Sequence, residues 1–182
     1  MNVSKNDKIK LSDHFTLGEM TVTTYKTDDG NIPSRVAIEN LTNLCEKWLE
    51  ELRSRYNLLY GQRKVTREGQ SPCNSPVCDE AAHRGDSPCV SQESPIVINS
   101  GFRSPEVNQK CGGAKNSNHL TGCAVDIHCA GKEQAIRYAC ILLDIADGKK
   151  LDFDELILEK RGTTIWVHFA VRPKGNRRYV DF

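Results

Sequence analysis

The chain has no long apolar run, which excludes the classes of protein that depend on one. None of its apolar stretches approaches the roughly 20 residues of a membrane-spanning helix, so we expect no membrane partner. Residues 1–15 contain lysines but neither an apolar core nor a small-residue cleavage site. The sequence therefore predicts no secretory signal and a protein that is cytoplasmic as synthesised.

Net charge is almost absent as well. The sequence has 25 Lys and Arg against 24 Asp and Glu, a formal charge of +1, which gives no reason to expect nucleic acid as a partner. We find no internal repeat. With 182 residues, of which 38% are hydrophobic and 27% charged, the chain suits one globular domain with a substantial buried core. The oligomeric state stays open.

Cysteine, by contrast, is abundant, with eight in the chain. Without a secretory signal we expect reduced thiols, and Cys45 and Cys140 fall in helical patterns as small core residues. A Pro- and Ser-rich insertion at about 61–94 contains four further candidates for metal binding: Cys73, Cys78, His83 and Cys89. Because they lack a Cys-x-x-Cys turn, two interpretations stay open, a structural zinc knuckle and a flexible loop with thiols or one disulfide.

Apolar periodicity predicts two amphipathic helices and several strands. The helices are expected at 34 to about 56 and at 131–147. The strands are expected where β-branched or alternating residues recur, at 95–99, 123–128, 153–159 and 163–171. Residues 172–182 form a basic tail, which we interpret as a solvated surface.

Local signals also indicate where two short helices begin. Thr16 and Glu19 have the spacing of a capping box, which predicts a short helical turn. Ser104 followed by Pro105 predicts the start of another helix. Arg103 then stands at the junction between a strand and a helix, where a side chain can point into a cleft.

Three side chains of metal-ligand type are separated by informative spacings. His119 and Asp126 lie seven positions apart with Gly122 between them, which fits a loop residue followed by a strand residue. A lone carboxylate in an apolar strand is unfavourable unless a metal or an arginine lies next to it. With His168 the set would hold zinc and leave a fourth position for water, although either histidine also fits a loop or core role. His128 is a rival ligand that we interpret as an outer partner or a surface residue.

At this point the sequence resembles a known family. The motif that carries the resemblance is Ser117-x-His119-x-x-Gly122-x-Ala124-x-Asp126, followed by Trp166-x-His168. It is similar to that of the zinc D-Ala-D-Ala carboxypeptidases and related peptidoglycan endopeptidases, the M15 peptidases, whose metal-centre fold is shared with the Hedgehog domain. Residues 100–104, with Asn108, resemble the family's arginine segment, and residues 14–20 resemble the phage-lysin-like branch. With the predicted elements, this implies an α+β fold, a single domain over 1–182 in which helices flank a small, mostly antiparallel sheet.

The resemblance also implies roles for individual residues. His119, Asp126 and His168 match the zinc ligands. Arg103 matches the arginine that binds substrate and steadies the oxyanion of the tetrahedral intermediate. Ser117 matches the motif's serine, which orders the loop or touches substrate.

The general base is where the sequence departs from better-known members of the family. Several of them carry a histidine or an acidic residue at the positions that are Trp166 and Ile165 here, and neither of these can take a proton. Glu159 is our candidate base, because it resembles the acidic strand end found in the phage-like branch, and Glu155 on the same strand face is the reserve. The alternative for both is solvation of a strand edge.

The implied function is that of a zinc metallopeptidase acting on the stem peptides of peptidoglycan. The sequence does not distinguish a D-Ala-D-Ala carboxypeptidase from an endopeptidase, or a phage from a bacterial origin. We expect action on the cell wall to follow lysis or a non-standard export. The alternative is a non-catalytic zinc-binding module on the same fold that binds a wall fragment or a protein partner.

Overall fold

The structure is a computed structural model that describes residues 9–64 and 90–182. The helices are α1 (Leu17–Met20), α2 (Arg35–Leu44), α3 (Glu50–Tyr60), α4 (Pro105–Lys110) and α5 (Lys132–Lys149). The strands are β1 (Gln62–Lys64), β2 (Val90–Gln92), β3 (Ile98–Ser100), β4 (Ala124–Cys129), β5 (Glu155–Arg161), β6 (Thr164–Ala170) and β7 (Tyr179–Asp181). No helix in these ranges is long and apolar enough to cross a membrane.

A five-stranded sheet, in the order β3-β4-β6-β5-β7, organises the described part of the chain. The pairs β3–β4, β4–β6 and β5–β6 are antiparallel, and β7 joins β5 in parallel. The predicted α+β fold with a mostly antiparallel sheet is therefore confirmed. Antiparallel neighbours place alternate side chains of three strands on the same face in register, and this register builds the site described below.

One face of the sheet is apolar and forms the core with the helices. The buried side chains on this face are Val125, Ile127, Leu156, Val167 and Phe169. Trp48 lies between α2 and α3, and its ring centroid is 4.9 Å from that of Phe169. The burial of aromatic surface at this contact fixes the helix on the sheet.

The first long helix begins where the sequence predicts and ends later. The side chain of Ser34 accepts a hydrogen bond from the backbone N–H of Ala37 and caps the N-terminus. A π-helical turn, Cys45–Leu49, joins α2 to α3, so that helical structure continues to Tyr60 rather than to about Tyr56. Local apolar spacing does not reveal such a turn, because it shifts the helix register by only one residue.

Strands β1 and β2 pair antiparallel at the two ends of the insertion. Their pairing brings Gln62 opposite Gln92. The four candidate metal-binding residues of the insertion lie outside the described residues, namely Cys73, Cys78, His83 and Cys89. The zinc knuckle and the flexible loop with thiols or one disulfide therefore both stay open.

Three other expectations differ from the structure. Cys140 is exposed rather than part of the core, because it follows the buried Ala139 and one residue turns a helix by about 100°. The basic tail is not simply solvated, since its residues 179–181 form β7 and its arginines reach a buried carboxylate. The strand predicted at 95–99 also begins later, at Ile98.

Candidate metal centre

A short loop delivers the first candidate ligand to the sheet. The hydroxyl of Ser117 accepts a hydrogen bond from the backbone N–H of His119 and caps a 3₁₀ turn, Asn118–Thr121. The turn ends at Gly122, whose φ is +70°, and a Cβ there would lie 2.4 Å from the carbonyl oxygen of Ala37. Glycine is therefore required both by its backbone conformation and by the close approach of α2.

The register of the sheet brings the other two candidate ligands together. Asp126 on β4 lies directly opposite His168 on β6. The Oδ1 atom of Asp126 lies 2.9 Å from Nδ1 of His168 and 3.3 Å from Nε2 of His119. One ligand atom from each of the three residues lies within 4.8 Å of the others. The structure thus assembles the trio that the sequence predicted.

The hydrogen bonding of His119 tests whether this trio suits a metal. Its ring is only 2% exposed, and Nδ1 donates to the carbonyl oxygen of Gly101 at 2.5 Å. That bond leaves Nε2 as the bare nitrogen, and Nε2 is buried without a hydrogen-bond partner in the described part of the chain. A buried, unpartnered lone pair that faces a carboxylate oxygen is what a metal ion would satisfy.

The spacing of the donor atoms also fits zinc. Ligands at about 2.0–2.1 Å from a tetrahedral zinc lie about 3.3 Å from one another. The separations of 2.9 and 3.3 Å around Asp126 Oδ1 are close to that value. Two imidazoles and one carboxylate form a donor set typical of catalytic zinc, so the residues present fit the ion.

Arg103 completes the surroundings of Asp126. Its guanidinium donates to Asp126 Oδ2, and its Nε donates to the hydroxyl of Ser100 at 2.8 Å. One carboxylate oxygen thus faces the arginine and the other faces both histidines. Burial raises the pKa of Asp126, but the neighbouring His119, the hydrogen bond with His168 and the charge of Arg103 lower it overall.

Glu155 and Glu159 stand in different relations to this trio. Glu155 Oε2 lies 3.3 Å from Nε2 of His168, and this hydrogen bond is the leading cause that lowers the pKa of Glu155 to about 2. Burial lowers the pKa of His168, but its bonds with Asp126 and Glu155 raise it to about 9 when no metal is bound. Glu159 instead accepts a hydrogen bond from Nε1 of Trp166 at 2.5 Å.

The sequence interpretation also missed a group of residues beside the trio. They form a polar network that reaches Glu155: Asn118, Asp154, Arg172 and Arg177. The sequence pattern gave Asp154 no role and placed the arginines in a solvated tail. The chemistry of Asp154 was a usable signal, since a buried carboxylate requires cations and the tail supplies them. His128, the rival ligand, is exposed and outside the trio.

Comparison with known proteins agrees with this arrangement. The family model described as Peptidase M15 matches residues 90–156. This match covers 67 of the 182 residues and confirms the resemblance of the first part of the motif to the M15 peptidases. The matched stretch includes Arg103, His119 and Asp126 but ends before His168, so the third candidate ligand is placed by the sheet register. A search of the curated proteins found no match.

Proposed function

We propose that this protein is a zinc metallopeptidase that hydrolyses peptide bonds in peptidoglycan stem peptides, as a D-Ala-D-Ala carboxypeptidase or an endopeptidase. The observation that carries the proposal is the convergence of His119, Asp126 and His168 around a buried, unpartnered imidazole nitrogen. The match to the peptidase family supports the reaction class. We assign residues 1–182 to one peptidase domain with an insertion at about 61–94, and the patch at 14–20 favours the phage-lysin-like branch.

In this proposal the three ligands hold the ion, and the chain's other residues act on the substrate. When bound, zinc supplies a Lewis acid that makes water nucleophilic at neutral pH. Glu159 takes and returns the proton: its Oε2 is held by Trp166, and Oε1 accepts no hydrogen bond from the described residues. Holding one carboxylate oxygen leaves the other in a fixed direction, which is what a general base requires.

Arg103 and Ser117 orient the substrate in this proposal. Arg103 is held through Nε by Ser100 and through one terminal nitrogen by Asp126. Its other terminal nitrogen is left to donate to the oxyanion that forms at the attacked carbonyl. Ser117 already caps the turn that carries His119, so its first role is to order the loop.

A non-catalytic zinc-binding module is the second candidate function. The observation that favours it is that both candidate bases, Glu155 and Glu159, already accept hydrogen bonds. Glu155 is bonded by Asn118 and Arg177, and Glu159 by Trp166. Such a module would bind zinc and a wall fragment or protein partner without turnover.

Digestion of purified peptidoglycan separates these functions. The zinc-loaded protein is incubated with peptidoglycan, and the released muropeptides are analysed by mass spectrometry. A peptidase produces new fragments whose lost mass identifies the bond, loses this activity to a chelator, and regains it with zinc. Stoichiometric zinc with no new fragments would instead establish the binding module.

A further inference from the structure

His168 is held at both of its ring nitrogens. Nδ1 lies 2.9 Å from Asp126 Oδ1 and faces the metal centre, whereas Nε2 lies 3.3 Å from Glu155 Oε2. A neutral imidazole has one bare nitrogen and one N–H. For Nδ1 to be a ligand, the proton must be on Nε2, where it is donated to Glu155.

Glu155 is in turn held at both of its oxygens. Oε2 accepts a hydrogen bond from Nδ2 of Asn118 at 2.8 Å, and Oε1 accepts one from the guanidinium of Arg177. The carboxylate has no freedom to turn without breaking one of these bonds. Its direction, and with it the direction of the His168 ring, is therefore set by the neighbours of Glu155.

Asn118 connects this arrangement to a second, fully buried carboxylate. Its Nδ2 also donates to Oδ2 of Asp154 at 2.8 Å, and its Oδ1 accepts from Nε of Arg172 at 2.9 Å. Asp154 is 0% exposed and accepts two further hydrogen bonds, both 2.8 Å, from Arg177. Two carboxylates and two guanidiniums thus balance in charge, which makes their burial tolerable.

Asn118 links two candidate ligands, because it is next to one in the chain and bonded to the partner of the other. Asn118 precedes His119, so the same 3₁₀ turn that carries one candidate ligand also reaches the carboxylate that holds another. The loop and strand β6 supply their ligands separately, and the network ties them together. Carboxylates that accept the second N–H of a ligating histidine tune its orientation and basicity.

We propose that Glu155 is a positioning residue, not a proton acceptor in catalysis, and that it orients His168 for metal binding while Asn118 and Asp154 hold it in place. This inference rests on the proposed function only in requiring that zinc binds at the trio. It replaces the reserve role of Glu155 as a general base.

The test compares Glu155→Leu with Glu155→Gln. The leucine variant loses the acceptor for the Nε2 proton, so we expect zinc affinity to fall about 10–100-fold. The glutamine variant keeps an acceptor oxygen and should recover most of that affinity and most of the turnover. Zinc affinity is measured by competition with a chromophoric chelator, and the visible spectrum of the Co²⁺-loaded protein reports ligand geometry directly.

Two further variants keep the result interpretable. Asn118→Ala should weaken zinc in the same direction as Glu155→Leu, and it tests the network if the leucine variant fails to fold. Glu39→Leu, at an exposed glutamate paired with Arg35 on the surface of α2, controls for loss of a carboxylate elsewhere. It should leave affinity and spectrum unchanged.

Two results would overturn the proposal. One is wild-type zinc affinity and an unchanged Co²⁺ spectrum in Glu155→Leu and Asn118→Ala. The other is loss of turnover in Glu155→Gln with intact zinc affinity, which would make Glu155 the base. Failure of the peptidase function looks different, because a wild-type protein that binds zinc but cuts no stem peptide still shows the affinity loss in the leucine variant.

Discussion

The two faces of the same three strands have opposite characters. On one face Ile127, Val167 and Phe169 are completely buried against the helices. On the other, Asp126, His168 and Glu155 each have named polar partners. Stabilisation on the apolar face is spread over many weak contacts and scales with area, whereas the polar face depends on individual pairs.

Because of this difference, substitutions on one face should affect metal binding and substitutions on the other should affect stability. A buried charge without its partner is strongly unfavourable, so loss of a single partner on the polar face should have a large effect. The apolar face tolerates graded change, because removal of a methylene removes only a part of the contact area. Substitutions on the two faces should therefore alter different observables.

The largest effect is expected from His119→Ala on the polar face. Removal of one of three candidate ligands should abolish stoichiometric zinc binding and reduce peptidase activity below detection. Metal content per chain and muropeptide release measure the two consequences. The matched control is His128→Ala, which removes an exposed histidine from the face of β4 that carries Asp126. It should change neither metal content nor muropeptide release. Full activity in His119→Ala would rule out the proposed centre.

Glu159→Gln should have the next largest effect and should separate chemistry from metal binding. Loss of a general base typically lowers turnover about 10²–10⁴-fold. The amide oxygen can still accept the hydrogen bond from Trp166, so zinc content should stay at one ion per chain. Steady-state kinetics with zinc quantified in the same sample measure this split. Unchanged turnover would show that another group takes the proton.

Phe169→Ala tests the apolar face. The ring contacts Trp48 and Phe153 in the core, and its loss should lower the free energy of unfolding by about 3–5 kcal/mol. Urea denaturation of the zinc-free protein measures the loss. Zinc affinity of the molecules that remain folded should be nearly that of the wild type. A Phe169→Ala variant that keeps its stability but loses zinc would contradict the separation of the two faces.

Ile127→Val should produce the smallest effect on the same face. One buried methylene is removed, and the expected loss of unfolding free energy is about 0.5–1.5 kcal/mol. Activity per folded molecule should not change, although Ile127 is next to Asp126 in the chain. The shift in the urea midpoint, with an unchanged slope, measures it. A drop in turnover here would show that packing on one face controls ligand geometry on the other.

What the sequence predicted correctly was local. Ser34, Ser104 and the Thr16–Glu19 box each mark a helix start that the structure contains. The three candidate ligands could be proposed because each lies in a short recognisable pattern. The sheet register then brought Asp126 and His168 together, and the 3₁₀ turn added His119.

What the sequence did not predict depends on distant partners. The bonds of Asp154 with Arg177, and of Asn118 with Glu155, join residues 23 and 37 positions apart. Periodicity identifies which face a side chain occupies, but not which cation lies opposite it. The parallel pairing of β7 with β5 is hidden for the same reason, since a three-residue strand has almost no pattern of its own.

The two loops that carry Arg103 and His119 are held by a part of the chain that contributes no candidate ligand. The backbone of Met20 receives the N–H of Phe102 at 2.7 Å, and Asn40 on α2 donates to the carbonyl of Thr121 at 2.8 Å. Together with the approach of Ala37 to Gly122, these contacts shape both loops that carry Arg103 and His119. A fragment that began after α3 would retain every candidate ligand but would lack the contacts that hold the two loops in place. The motif alone should therefore not rebuild the metal centre in another protein, because the residues that hold its loops begin about a hundred positions before the first candidate ligand.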